Sequence, residues 1–227
     1  MAEKLENIGA CVFDAYGTLF DVASAAAQCK DELGDKWEPL SDIWRMKQLN
    51  YTWLRSLMEE YKDFWQVTDD ALDFAMDTLG IDDKALKGKL INLYATLDAY
   101  PEVPAMLETL RSNNVRTAIL SNGNMTMLNF AVESAGLSEL FDAVISVDKI
   151  KIYKPHPSVY QLAVDELSLP AERICFMSSN AWDVAGAANV GFKVNWVNRF
   201  GQATERLPGK PANEIKSLDE LPAILGL

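Results

Sequence analysis

Short apolar runs that stop at polar, turn-forming residues recur along this chain, and stretches of helical spacing separate them. From Ile8 to Phe13 the side chains are apolar, with enough branching for a buried strand, and the run ends at Asp14-Ala-Tyr-Gly17. Arg116 to Leu120 ends in the same way at Ser121-Asn-Gly123, Ala143 to Val147 at Asp148, Arg173 to Met177 at Ser178-Ser-Asn180, and Phe192 to Val197 at Asn198. Between them, Val103 to Leu110, Met127 to Ala135, Val159 to Leu167 and Val184 to Val190 carry apolar residues at helical intervals. Strand and helix therefore alternate, which predicts an α/β fold with a doubly wound, mainly parallel sheet. Ligands of such sheets collect at the carboxyl ends of the strands, where Asp14, Ser121, Asn122, Ser178 and Asn180 fall.

Residues from about Val22 to Leu97 break this rhythm. Ile43, Met46, Trp53, Leu54, Leu57, Met58 and Tyr61 recur at helical spacing with no strand signal among them. A second helix is expected to be capped by Thr68, to turn Leu72, Ala75, Met76 and Leu79 inward, and to stop at Gly80. A third follows Asp82-Asp83 and carries Leu86, Leu90, Leu93 and Leu97. The expected organisation is a Rossmann-like core of residues 1–20 and 98–227, with residues 21–97 forming a helical cap inserted after the first strand.

Composition narrows the chemistry. With 227 residues, 49% of them hydrophobic, the chain can bury a substantial core. Its formal net charge of -12 repels phosphate backbones and anionic lipid, so neither nucleic acid nor membrane is an expected partner. An anionic substrate would have to be met by a few focused cations. Three cysteines without a C-x-x-C spacing point away from a disulfide framework or a zinc site, and the short apolar run near the N-terminus does not make a signal peptide. The expected location is the cytoplasm. The lone histidine, His156, sits between two prolines and reads as structural, which leaves hydrolase triads little material.

Taken alone, Asp14 reads as a cap or turn residue. Its neighbours change that. The string Asp14-Ala-Tyr-Gly-Thr18-Leu lies directly after a strand and before a helical insertion, and Ser121-Asn122, Lys154-Pro155 and Asp183 follow in order. This series resembles the motifs of the haloacid dehalogenase superfamily over nearly the whole chain, and the resemblance implies that Asp14 is a nucleophile. Most members are magnesium-dependent phosphatases with a second aspartate two residues on and a glycine-aspartate pair after the fourth strand. Tyr16 and Ser178-Ser179 stand at those places here. A tyrosine replaces an ionised acid neither as a hard ligand nor as proton donor to a leaving alcohol.

Both departures, together with Trp44-Arg-Met-Lys-Gln-Leu-Asn-Tyr-Thr-Trp53, are similar to the L-2-haloacid dehalogenase branch. That resemblance implies hydrolysis of a small 2-haloacid to the inverted hydroxyacid and halide ion, with no metal and no other cofactor. It assigns the departing halide to Arg45, Asn122 and Trp182; a hydroxyl and backbone amides can hold the substrate carboxylate without adding a mobile charge, and Ser121 and the amides after Asp14 are the candidates. Halide needs no proton if donors in a dry pocket meet its growing charge. Thr18 is expected to hydrogen-bond the nucleophile and Lys154 to keep it ionised. Asn180 and Asp183, with Lys154 nearby, are expected to handle the hydrolytic water, while Ser178, Tyr16 and Tyr160 complete the implied site. A homodimer is also implied, with the Trp- and Met-bearing helices offering apolar surface. Two rival readings are a magnesium-dependent phosphatase of the same fold and a carboxylate-binding protein without turnover.

Overall fold

The structure, a computed structural model, describes residues 3–227. Its frame starts at β1 (Ala10–Phe13), buried along its whole length. An insertion of five helices follows: α1 (Ser24–Gln28), α2 (Lys30–Leu33), α3 (Trp37–Met58), α4 (Phe64–Leu79) and α5 (Lys84–Ala95). The chain then alternates through α6 (Val103–Ser112), β2 (Arg116–Ser121), α7 (Met125–Ser134), β3 (Ala143–Ser146), α8 (Pro157–Leu167), β4 (Ile174–Ser178), α9 (Ala181–Asn189) and β5 (Lys193–Val197). It closes with β6 (Asn213–Ile215) and α10 (Leu221–Leu225).

All strand pairs are parallel, in the order β3-β2-β1-β4-β5-β6. The chain winds from β1 out to β3, then restarts on the other side of β1 with β4, so the strand order reverses there. That reversal leaves a crevice at the carboxyl edge, where an open α/β sheet accepts ligands. Register brings the loops together: Phe13 is opposite Ile119 on one side and Met177 on the other. Asp14 therefore emerges between the segments that begin at Ser121 and Ser178. The five strands read from the sequence are present; β6 was not foreseen. It is three residues long, polar at Asn213 and Glu214, and lies at the sheet edge, so it lacks the apolar run that marks a central strand.

The insertion leaves and rejoins the sheet side by side. Asp21 N–H donates to the Asp98 carbonyl and Tyr100 N–H to that of Leu19, both at 2.9 Å. Within it, α3 departs from the expected facing. Its buried stripe is Leu40, Trp44, Gln48 and Thr52, at four-residue spacing. Met46, Leu54, Leu57 and Met58 are exposed, Leu57 by 82%. The apolar pattern thus marks the outward face, and the inward one carries amide and hydroxyl groups. The start of α4 also differs. Asp63, not Thr68, caps it, accepting from the amides of Trp65 and Gln66. Thr68 is buried within the helix and donates back to the Phe64 carbonyl. Gly80 does end this helix, in the left-handed conformation at φ 61°, and Asp83 caps α5.

Candidate active site

Asp14 follows β1 and is only 6% exposed, so its charge needs partners. One oxygen, Oδ1, accepts from Lys154 Nζ at 3.0 Å. The other, Oδ2, accepts from Asn180 Nδ2 at 2.8 Å, Thr18 Oγ1 at 3.1 Å and, more weakly, Ser178 Oγ at 3.5 Å. Thr18 caps no helix, since α1 begins only at Ser24. Its hydroxyl instead donates to the aspartate and accepts from the Ser179 amide, which ties the loops after β1 and β4 to each other.

Lys154 comes in from the segment before α8 and is 1% exposed. Its second anion is Asp183, at 2.8 Å on α9. Burial opposes the lysine's charge, but Asp14 and Asp183 outweigh it and raise its pKa above the ordinary value. Asp183 has no exposed surface; burial pushes its pKa up to about 6 against the pull of Lys154. Its Oδ1 accepts from Tyr160 Oη at 2.8 Å. Tyr160 can lie against α9 because residue 186 is glycine: a Cβ there would overlap the phenol. Burial, then Asp183, holds the Tyr160 hydroxyl well above its usual pKa, so it stays a donor.

Arg45 projects from α3 across to the sheet edge. Nη2 donates to the Tyr16 carbonyl and to Asn180 Oδ1, each at 3.2 Å, and Nη1 donates to Gln48 Oε1 at 2.7 Å. The Tyr16 ring is buried between Phe64 and Tyr94, with centroids 5.5 and 5.7 Å away, and it occupies the space a side chain at Gly123 would need. A cavity of about 450 Å³ opens beside Arg45, with Ser41, Asn180, Trp182 and Arg199 in its wall. Asp14 lies one hydrogen bond behind that wall, through Asn180.

Thus Asp14, Thr18, Lys154, Ser178, Asn180, Asp183 and Tyr160 form one continuous network, and Arg45 reaches it through Asn180. Trp182 shares the cavity with Arg45 and meets Trp53 edge to face at 5.4 Å. Asn122 is placed differently: it is not in the cavity wall, and its Oδ1 accepts from the Lys154 amide at 3.0 Å. Ser121 Oγ accepts from the Gly123 amide, which leaves its own hydrogen to donate. His156 caps α8 through its ring nitrogen, as a structural residue would. Gln48, Thr68 and Tyr94 were not picked out as site residues, although Gln48 falls three residues after Arg45 on the same helix. The apolar pattern of α3, which marks its outward face, gives no sign that Gln48 faces inward.

Residues 8–191 match the family model of the haloacid dehalogenase-like hydrolases. The "(S)-2-haloacid dehalogenase 1" of Pseudomonas sp. strain CBS-3 is 46% identical over 97% of this chain and 98% of its own. "(S)-2-haloacid dehalogenase 4A" of Burkholderia cepacia is also 46% identical, over 96% and 94%. The L-2-haloacid dehalogenase of Xanthobacter autotrophicus, solved with chloropropionic acid covalently bound, superimposes with a TM-score of 0.90 at 37% identity, covering 96% of this chain and 98% of that one. The chain belongs to the haloacid dehalogenase-like hydrolases, and within them to the (S)-2-haloacid dehalogenases.

Proposed function

We propose that this protein hydrolyses L-2-haloacids, 2-halopropionates among them, to D-2-hydroxyacids and halide through an ester on Asp14, and acts on haloacetates in the same way. The observation that carries this reading is the surroundings of one carboxylate. Asp14 accepts hydrogen bonds from Lys154, Thr18, Asn180 and, more weakly, Ser178, and a guanidinium is tethered beside Asn180. The covalently bound chloropropionic acid of the Xanthobacter relative supports a covalent course.

Asp14 attacks the α-carbon, the carbon-halogen bond breaks with its electron pair on the halide, and configuration inverts. A guanidinium carries five N–H donors. Gln48, Tyr16 and Asn180 take three of Arg45's, leaving an Nη1 hydrogen and the Nε hydrogen for the leaving halide. Trp182 lines the same cavity, and Asn122, outside that wall and bound to the Lys154 amide, joins the proposed surroundings of the anion only through the likeness to the family. The substrate carboxylate is held by Ser121 and the amides after Asp14, with the Tyr16 ring as a wall. Water then adds to the aspartyl carbonyl carbon, expelling the hydroxyacid and restoring Asp14. Asn180, Asp183 and Lys154 are the groups for this step, with Ser178 and Tyr160 holding Asp14 and Asp183 in place. Residues 21–97 act as the cap that carries Arg45 to the core.

Magnesium does not fit this donor set. Lys154 Nζ sits between the two carboxylates that would hold it, and no group of three acid, histidine or cysteine side chains gathers among the described residues. Racemic 2-chloropropionate should therefore be consumed to half, giving D-lactate and one equivalent of halide per molecule turned over, with or without a chelator. Consumption of both halves, retained configuration, or inactivation reversed by magnesium would refute the reading. Phosphate release from a generic phosphate ester would point to the phosphatase instead.

A pH profile adds a second check. Asp183 must be ionised to hold Lys154, so kcat/KM should fall as pH drops through about 6. Its effect on stability has the opposite sign. The folded state binds this proton more tightly than the unfolded chain, so the stabilisation is full below the ordinary aspartate pKa of about 4 and is lost as pH rises through about 6. An acid limb near pH 4 would mean that Asp183 stays ionised throughout.

We place the reaction in the cytoplasm, which three free, buried cysteines suit. No helix among the described residues is long and apolar enough to cross a membrane. The exposed Met46, Leu54, Leu57 and Met58 of α3 form an apolar face, which we assign to the homodimer.

A further inference from the structure

We infer that Gln48 and Thr68, neither of which touches substrate, form an orientation lock that holds the guanidinium of Arg45 in position for the leaving halide. The inference rests on the reading of Arg45 as the cation that receives that halide. The lock begins at Thr68, which has no exposed surface. Its single hydroxyl hydrogen is committed to the Phe64 carbonyl at 2.6 Å. Toward Gln48, 2.7 Å away, Thr68 Oγ1 can therefore only accept, and it must be met by the amide nitrogen Nε2.

With Nε2 fixed at one end of the amide, Oε1 is at the other, where Arg45 Nη1 donates to it at 2.7 Å. A guanidinium has no acceptor, so a flipped Gln48 would set N–H against N–H and leave Thr68 facing a second acceptor. Tyr94 Oη closes the triangle, 3.0 Å from Nε2 and 3.2 Å from Oε1. Gln48 is fully buried and Tyr94 is 3% exposed, so no bulk solvent competes. Tyr94 Oη can donate or accept and so suits either orientation of the amide, but Thr68 and Arg45 each allow only one, and the chain of requirements ends on the guanidinium.

A purely structural stripe between α3 and α4 would be met by apolar side chains at lower desolvation cost. Here the polar stripe runs from the Phe64 carbonyl through Thr68 and Gln48 to Arg45. At position 48 Lys would keep the length of the side chain but supply no acceptor, and Met would supply only a weak one. Gln48 and Thr68 are thus positioning residues, acting on the leaving-group step and not on the binding of the carboxylate.

Thr68→Val removes the hydroxyl at nearly constant volume, whereas Thr68→Ser keeps it. With enzyme in excess over L-2-chloropropionate, the single-turnover rate of halide release should fall roughly tenfold in Thr68→Val and stay within about twofold of the unaltered protein in Thr68→Ser, with KM little changed in both. The loss should be smaller on 2-iodopropionate, whose leaving group needs less stabilisation, a dependence that general loosening of the fold would not produce. In an Arg45→Lys background, adding Thr68→Val should cost little more, because the two changes act through one group. If thermal unfolding shows that Thr68→Val does not fold, Gln48→Met is read against the same two halides. Full activity in Thr68→Val, equal losses in the valine and serine variants, or an identical loss on both halides would overturn the lock. A protein that releases no halide even before alteration would instead remove the reading on which it rests.

Discussion

Asp14→Asn is expected to stay folded and to lose halide release by roughly 10⁴-fold or more, because the carboxamide that replaces the carboxylate is a poor nucleophile. The asparagine oxygen can still accept from Lys154, and the neighbouring donors remain paired with other groups, Thr18 with Ser179 and Asn180 with Tyr16. The variant distinguishes an essential carboxylate from a spectator but does not distinguish nucleophile from general base. Isotopes do. In heavy-oxygen water, with unaltered enzyme in excess, the first turnover must give a hydroxyacid whose new oxygen is ordinary, drawn from Asp14. The heavy atom stays in the protein, on the peptide spanning that residue. Heavy oxygen in the first hydroxyl, with an unlabelled peptide, would make Asp14 a base that activates water.

Lys154→Met should be nearly as damaging, to activity and to stability alike. Lys154 Nζ lies 3.0 Å from Asp14 and 2.8 Å from Asp183, all three buried. Without it, two carboxylates face each other in a dry site, and one of them takes up a proton at neutral pH. Activity should drop by about 10³-fold, and unfolding in urea should show a loss of about 3 kcal/mol, the scale of an uncompensated buried charge. The sign with pH identifies the cause. Carboxylates whose folded pKa is raised stabilise the fold at low pH and lose that contribution as pH rises, so the deficit should be smaller at pH 5 than at pH 8. A deficit independent of pH would assign it to packing alone.

The sheet was legible because parallel strands buried on both faces leave continuous apolar runs, and each run stops where the chain turns back into a helix. Asp14, Ser121 and Ser178 could be placed at one edge for that reason alone. The insertion was harder to read. On α3 the most apolar positions, Met46, Leu54, Leu57 and Met58, lie outside, while Gln48 and Thr52 lie inside. Gln48 is satisfied by Arg45, Thr68 and Tyr94, partners contributed by three separate helices. No spacing rule within one helix anticipates such a set. Thr68 reads as a cap for the same reason: its type suits a cap, and only the neighbouring helix explains why it is buried. Asn122 shows a related limit. Its position after β2 was clear, but its bond to the Lys154 backbone depends on how two distant loops cross.

The separate origins of Asp14 and Arg45 bear on how this activity can be diversified. Asp14 and Lys154 belong to loops at the edge of the sheet, whereas Arg45 arrives on α3 and contacts that edge through two acceptors, the Tyr16 carbonyl and Asn180. A library confined to the cavity-facing positions Ser41, Asp42 and Leu49 would therefore vary the surroundings of the anion while leaving the displacement chemistry untouched. Selection for new halogens and new acyl chains can then proceed as a problem in surface carpentry on one helix, without re-inventing catalysis at each step.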